Sequence, residues 1–427
     1  MANIISITVE NFRSYKNRTE FSFEAIDSEA KCENYHEMQL RNGKKIKLLN
    51  SSVIYGANAS GKSNVIIALF ALESFVKYSK RYDPKYTITY EPYFFASSTR
   101  TAFISFEIKF IVDGIIYVYA FSYTKDAFIK EELREEDGNQ LFFKDEEGIT
   151  YFNSNIFPEW KNEKYLKNHL ALSELSLNSN PLIQAIYGEL SLISAIPLTD
   201  EYSIGNNIQE AAQLIHDEPN GIFAAMIKEL VMTSDIGIFD VVIREMNEED
   251  FRLPESMPES VKRRIIAENK YEINMLHPSD DGLIPMQMRY ESAGTKTLFS
   301  AGIRVLKALQ EGRLLAYDEM NISLHPMLFK RLVELFNNEN TNPNHAQLLV
   351  TTHDATLLED DLLRADQIWF VEKKEAVSDI YSAIDFDDVS IDQPFETWYR
   401  AGRLGARPCL KPFLQGIQTK NVNNANK

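Results

Sequence analysis

Cysteine is nearly absent from the 427 residues: there are two, Cys32 and Cys409. Two thiols so far apart supply neither a four-ligand zinc site nor a disulfide framework, so the disulfide-stapled class is excluded and a reducing compartment fits. Long apolar runs are missing as well. No stretch approaches the ~18–20 uninterrupted apolar residues of a membrane span, and the opening MANIISITVENFRSYK has neither a basic leader nor a small-residue cleavage site. The expectation is a cytoplasmic protein with no membrane partner. Positive charge is in deficit: 45 Lys and Arg against 62 Asp and Glu leave a formal net charge of −17. A protein that coats nucleic acid without sequence preference needs a basic surface to release counterions from the phosphates. As a whole this chain repels DNA, although net charge leaves a local basic groove open. Internal repeats and heptad runs long enough for an extended coiled coil are also absent.

What remains is ordinary globular composition, 44% hydrophobic and 25% charged, in a chain long enough for two or three lobes. IISITVENF alternates like a strand, and KIKLLNSSVIYG reads as a second strand running into glycine; KSNVIIALFALESFVKYSK then places apolar residues three and four apart, as a helix does. TAFISFEIKFIVDGIIYVYAFSYT reads as two strands joined by a tight turn at Asp113-Gly114, and EEDGNQLFFKDEEGITYF as further hairpin. From about Phe157 to Thr233 the pattern is helical, with YLKNHLALSEL, NPLIQAIYGEL and IQEAAQLI as its clearest pieces. NEEDFRLPESMPESVKRR reads as an exposed loop. Strands return at Tyr271. The helix SAGTKTLFSAGIRVLKALQEG, the strand RLLAYDEM, the helix PMLFKRLVELFNN and the strand AQLLVTTHD then alternate as in a helix-covered parallel sheet. The expected domains are 1–155, with the phosphate loop and an antiparallel lobe; 156–270, a helical insertion; and 271–427, the second half of the α/β head.

The strand-to-helix junction IYGANASGKSN carries Gly56, Gly61, Lys62 and Ser63 at the spacing G-x-x-x-x-G-K-[ST]. There, backbone N–H groups and a helix N-terminus both face a phosphate. Gly56, Ala57, Asn58, Ala59, Ser60, Gly61 and Asn64 form the cradle, Lys62 places a cation on the outer phosphates, and the Ser63 hydroxyl is offered to magnesium. A second magnesium ligand is needed at the end of a buried strand, and Asp318 closes RLLAYDEM. Glu319 beside it is placed to take a proton from an attacking water. Ser292 and Gly294 open a helix in ESAGTKTLF, and His353 follows the strand in LLVTTHD. For Ser292, a plain helix cap is the simpler alternative. The tail FETWYRAGRLGARPCLKPF combines Trp398, Tyr399, Arg400, Arg403 and Arg407. A packed C-terminal helix is the first reading of it, with nucleic-acid stacking and partner docking as alternatives.

Together NFRSYK, YGANASGKSN, ESAGTKTLF, YDEMNISLHP, TTHD and DQIWFVEK resemble the chromosome-maintenance and recombination-repair branch of ATP-binding-cassette ATPases. More closely, they resemble the bacterial RloA or abortive-infection (AbiL-type) ATPases of phage defence and the ATPase part of the overcoming-lysogenization-defect nucleases. The resemblance spans residues 4 to about 410 and implies an ABC-type P-loop head that uses ATP and Mg2+, with catalytic Lys62, Glu319 and His353 and with Ser63 and Asp318 on the metal. In such heads Ser292 and Gly294 act on a nucleotide held by another subunit, so a homodimer with composite sites is implied, with higher assembly open. His353 contacts the terminal phosphate. Arg13 lies near the nucleotide or, equally, in an exposed salt bridge. An effector protein, a nuclease of the topoisomerase-primase type encoded nearby, is the implied partner, with a DNA-clamping repair role as the alternative. The chain departs from the pattern in three ways. YEPYFF offers no clear glutamine loop, Asn321 replaces an acidic residue after the catalytic glutamate, and there is no coiled-coil arm with a cysteine hook.

Overall fold

The computed structural model describes residues 3–154, 156, 165–177, 180–197, 201–234, 237–358, 362–386 and 394–407. Two sheets carry the head. The first has seven strands, all antiparallel, in the order β10-β9-β8-β7-β6-β1-β2. They are β1 (Asn3–Glu10), β2 (Thr19–Ser22), β6 (Ile104–Val112), β7 (Ile115–Tyr123), β8 (Phe128–Glu135), β9 (Gln140–Asp145) and β10 (Gly148–Phe152). The turn between β6 and β7 needs left-handed backbone at both central residues to match strand twist, and Asp113 and Gly114 adopt it, with φ of 50° and 74°.

The second sheet runs β11-β15-β16-β5-β17-β18, parallel except for the last pair. Its strands are β5 (Ser51–Tyr55), β11 (Ser194–Ile196), β15 (Leu314–Tyr317), β16 (Gln347–Thr352), β17 (Ile368–Lys374) and β18 (Val377–Ser382). Every residue of β5, β15 and β16 is buried, because both faces of the sheet are covered. Alternation still decides which core each side chain joins. Val53, Tyr55, Leu315, Tyr317, Leu348 and Val350 face the core built around α7 (Ala293–Glu311). Ile54, Leu314, Ala316 and Leu349 face the other core, with α1 (Ser63–Tyr78) and the antiparallel sheet. Smaller units are the hairpin β3 (Tyr35–Gln39) and β4 (Lys45–Leu49), and a three-stranded sheet of β12 (Asp240–Glu245), β13 (Tyr271–Ser279) and β14 (Gly282–Gln287).

The structure departs from the sequence reading in three places. KIKLLNSSVIYG is two strands in two sheets, divided at buried Asn50, whose side chain donates to Glu33 O (3.0 Å) and meets His36 Nδ1 (2.7 Å). The helical stretch contains α2 (Ala171–Leu175), α3 (Pro181–Ser191), α4 (Glu201–Asp217) and α5 (Ile222–Ser234). It also contains strand β11, paired with β15, and YLKNHL is not helical: its backbone is taken by the antiparallel lobe, Lys167 O accepting from Phe128 N at 2.9 Å. Residues 157–164 of that stretch lie outside the described ones. The presumed loop at 247–264 ends in a helix, α6 (Glu259–Glu268), none of whose residues is buried. Ion pairs Lys262–Glu259 and Arg264–Glu268 support it along its exposed face. Two short helices complete the fold, α8 (Pro326–Glu334) and α9 (Phe395–Arg400).

At the β11 edge a cavity of about 410 Å³ opens between α1 and α7, lined among others by Glu73, Lys77, Arg304 and Lys307. Burial pushes the Glu73 carboxyl up to about 7 against the pull of Lys77 and Arg304. The ordinary value is ~4.3, so between the two values the folded chain holds a proton that the unfolded chain has lost. The stability linked to Glu73 is therefore fully present below the lower value and is lost as pH rises through about 7. Glu73→Gln removes that loss. The variant's stability relative to wild type should rise by ~2–3 kcal/mol between pH 5 and pH 8, read by denaturant unfolding at both. A difference that stays flat with pH would refute the ionisation.

Candidate nucleotide site

β5, β15 and β16 are neighbours and run parallel, so their C-terminal ends come out side by side. Ligands of α/β sheets sit at such ends. β5 delivers Gly56–Lys62 and the start of α1 at Ser63, β15 delivers Asp318 and Glu319, and β16 delivers His353. Three segments far apart in sequence thus converge.

The loop's backbone demands its glycines. A Cβ on Gly56 would lie 2.5 Å from Val371 O and 2.7 Å from Ser60 Oγ. Gly61 has φ of +111°, and a Cβ there would meet Ser378 Oγ at 2.5 Å and Ser14 Oγ at 2.6 Å. Ala59 is left-handed too, with φ of 62°, and lies with Asn58 on the exposed crown. Lys62 is buried, and its Nζ donates to Gly56 O at 2.8 Å and Ala57 O at 3.1 Å. Ser60 Oγ is buried with no hydrogen-bond partner.

Behind the loop stands a hydroxyl brace. Ser378 Oγ on β18 donates to Ser60 O at 2.5 Å and bonds Ser14 Oγ at 2.7 Å; Tyr15 OH donates to Gly61 O at 3.1 Å. Asn64 Nδ2 donates to Ser14 Oγ at 2.6 Å, and its Oδ1 accepts from Arg13 Nη1 at 3.2 Å. Arg13 Nε also pairs with Glu91 at 3.2 Å, so this residue is in the expected ion pair and also touches Asn64 in the first turn of α1. Ser14 and Tyr15 stand inside the quoted NFRSYK, but nothing local in the sequence marks Ser378.

Asp318 is held by hydrogen bonds from Thr351 and Ser63. Burial raises its pKa, those two bonds oppose the rise, Glu319 adds to it and Lys62 counters it. Glu319 sits in left-handed backbone with φ of 49°, and its N–H donates to Thr351 Oγ1 at 3.0 Å. Its Oε1 lies 3.8 Å from His353 Nδ1.

The sequence over residues 51–359 matches the family described as "AAA domain, putative AbiEii toxin, Type IV TA system". The chain belongs to this family. No curated protein matches it in sequence. Solved structures similar to it include the SmcHead bound to the C-winged helix domain of ScpA, at 16% identity over 89% of this chain and 97% of that one, with a TM-score of 0.44. The SMC head domain from Thermotoga maritima follows at 14% identity, covering 89% and 98%, with a TM-score of 0.36. The Smc head domain with an extended coiled coil bound to the C-terminal domain of ScpA, derived from Pyrococcus furiosus, has 14% identity, covers 90% and 96%, and gives 0.40.

In this AAA-domain chain, burial lowers the Lys62 pKa, offset by Glu319 and Asp318. A cation held against two loop carbonyls, a buried hydroxyl without a partner and a carboxylate bonded to Ser63 suit a phosphate chain with a magnesium ion at Ser63 and Asp318. Among the described residues no group of three or more His, Cys, Asp or Glu could hold a metal, and magnesium bound through phosphate oxygens and water needs none. Also among the described residues, no helix is long and apolar enough to cross a membrane.

Ser292 and Gly294 are carried by the start of α7 and not by any of these strand ends. Ser292 caps α7, its Oγ accepting from Thr295 N at 3.0 Å, which is the simpler expectation for it. A Cβ on Gly294 would lie 3.0 Å from Ser323 O, so the start of α7 packs against the turn that follows Glu319. In that turn Asn321 Oδ1 is buried without a hydrogen-bond partner. The tail packs as a helix: the Tyr399 ring is 5.8 Å from those of Tyr55 and Phe370, directly under the strand that feeds the loop. Cys409 and the other residues beyond 407 lie outside the described ones.

Proposed function

We propose that this chain is a Mg2+-dependent ATP hydrolase that dimerises around ATP and, as sensor and scaffold, controls an effector protein, a nuclease, in defence against phage. The observation that supports it most is the convergence of Lys62, Ser63, Asp318, Glu319 and His353 at three adjacent strand ends. Ser292 and Gly294, on a separate helix start, complete the site from a second copy. The family description, which names an abortive-infection toxin of a type IV toxin–antitoxin system, supports the defence role, as does the resemblance to RloA and AbiL-type ATPases.

In this mechanism the loop's N–H groups and Lys62 bind the triphosphate, and the ammonium exchanges its two carbonyl partners for phosphate oxygens. When bound, magnesium neutralises charge on the terminal phosphates. Glu319 accepts the proton of the attacking water, and His353, beside it, orients that water against the phosphate. ATP then bridges two subunits and hydrolysis releases them, which times the effector.

The test is turnover per chain against protein concentration. Specific activity should rise with concentration and level off as dimers saturate; a rate independent of concentration sinks the composite site. Affinity capture from native lysate should bring down a stoichiometric protein. Hydrolysis stimulated by DNA and suppressed by salt would instead point to a repair clamp.

A further inference from the structure

The Thr351 hydroxyl touches both Asp318 and Glu319. It donates to Asp318 Oδ1 and accepts the backbone N–H of Glu319 at 3.0 Å, while Thr351 itself is fully buried on β16. Glu319, at the end of that N–H, has φ of 49°. A residue with a Cβ rarely adopts this conformation and holds it only where its surroundings fix it. The same backbone carries the Glu319 carboxylate to 3.8 Å from His353, which begins two residues after Thr351.

We propose that Thr351 is a positioning residue for hydrolysis: its single hydroxyl, bonded at once to the Asp318 carboxylate and the Glu319 amide, locks Glu319 into the left-handed turn that aims it at the reacting water. The inference rests on the reading of Glu319 as the base. The hydroxyl donates to one neighbour and accepts from another while Thr351 is fully buried, so it acts through those neighbours. Thr352, next to it, does different work: its Oγ1 accepts the Asp354 N–H at 3.0 Å. Removing the Thr351 hydroxyl takes away the partner of the part-buried Glu319 amide, and the turn relaxes to pair it elsewhere.

Thr351→Val keeps the β-branched shape of the strand and deletes only the hydroxyl, whereas Thr351→Ser keeps the hydroxyl and deletes a methyl. Nucleotide affinity, kcat and a crystal structure of each variant are compared with wild type. The Val variant should bind MgATP within ~3-fold of wild type and lose ~10²-fold in kcat, the scale of a misplaced catalytic group. The Ser variant should recover kcat to within ~3-fold, and Glu319 should leave positive φ in the Val structure alone. Wild-type kcat in the Val variant, or Glu319 unmoved in its structure, overturns the proposal, as does a Ser variant as slow as the Val one. If wild type binds ATP without hydrolysing it, the reading of Glu319 as base fails, and the Glu319 conformation in the two structures still decides what Thr351 does.

Discussion

Glu319→Gln should lower kcat by ~10³-fold or more while leaving ATP binding within a few fold of wild type. The amide keeps the size and reach of the carboxylate but cannot take a proton, so loss confined to kcat identifies a base and a loss in binding does not. The expected physical state differs as well. With ATP the variant should remain dimeric on size exclusion with light scattering, because the step that releases the subunits is blocked; without ATP it should behave as wild type. The Thr351 bond runs to the Glu319 backbone, so it survives the substitution and the left-handed turn stays in place. His353, whose Nδ1 faces Glu319 Oε1 at 3.8 Å, loses a carboxylate neighbour. Any drop in nucleotide affinity beyond a few fold should therefore be shared by His353→Ala. Unimpaired hydrolysis by Glu319→Gln rules out the assignment of the base.

The candidate residues at these strand ends are legible in the sequence because each sits in a short run with a strong local context. The phosphate loop follows an apolar strand and opens a helix whose apolar spacing is plain from Val65 to Val76. Asp318 and His353 follow the short runs LLAY and LLVTT, whose length and burial suit a parallel strand. What stayed hidden was set by tertiary partners. β11 has three residues, too few to show a period, and exists because β15 pairs with it. Asn50 looks like any polar residue within a strand; it ends β4 because Glu33 and His36 claim its side chain. Ser378 braces the loop across more than 300 residues of sequence, and no neighbour of it hints at that. Thr351 stood in the quoted TTHD, but the strained turn it holds belongs to a different strand end.

Lys62→Ala should weaken nucleotide binding by at least ~10²-fold, since charge-assisted hydrogen bonds are worth about 1.5–3 kcal/mol each and the ammonium makes more than one to the phosphates. The folded state should scarcely change. The ammonium is buried against Gly56 O and Ala57 O, and its burial costs enough to lower its pKa. Deleting the side chain removes that cost together with the two bonds, so thermal unfolding without ATP should move by no more than a few degrees. Loss of binding with a preserved melting temperature separates a ligand contact from a structural one. Mixing extends the test to the second subunit: Lys62→Ala inactivates its own loop but keeps Ser292 and Gly294 intact. Ser292→Arg does the reverse, blocking the helix start while leaving the loop free. Neither variant alone should turn over ATP, yet an equimolar mixture should recover part of the wild-type rate, because half of the mixed pairs' sites unite a good loop with a good helix start. A mixture as inactive as its components would mean that both halves of the site reside in one chain, and an active Ser292→Arg variant would mean that Ser292 only caps α7.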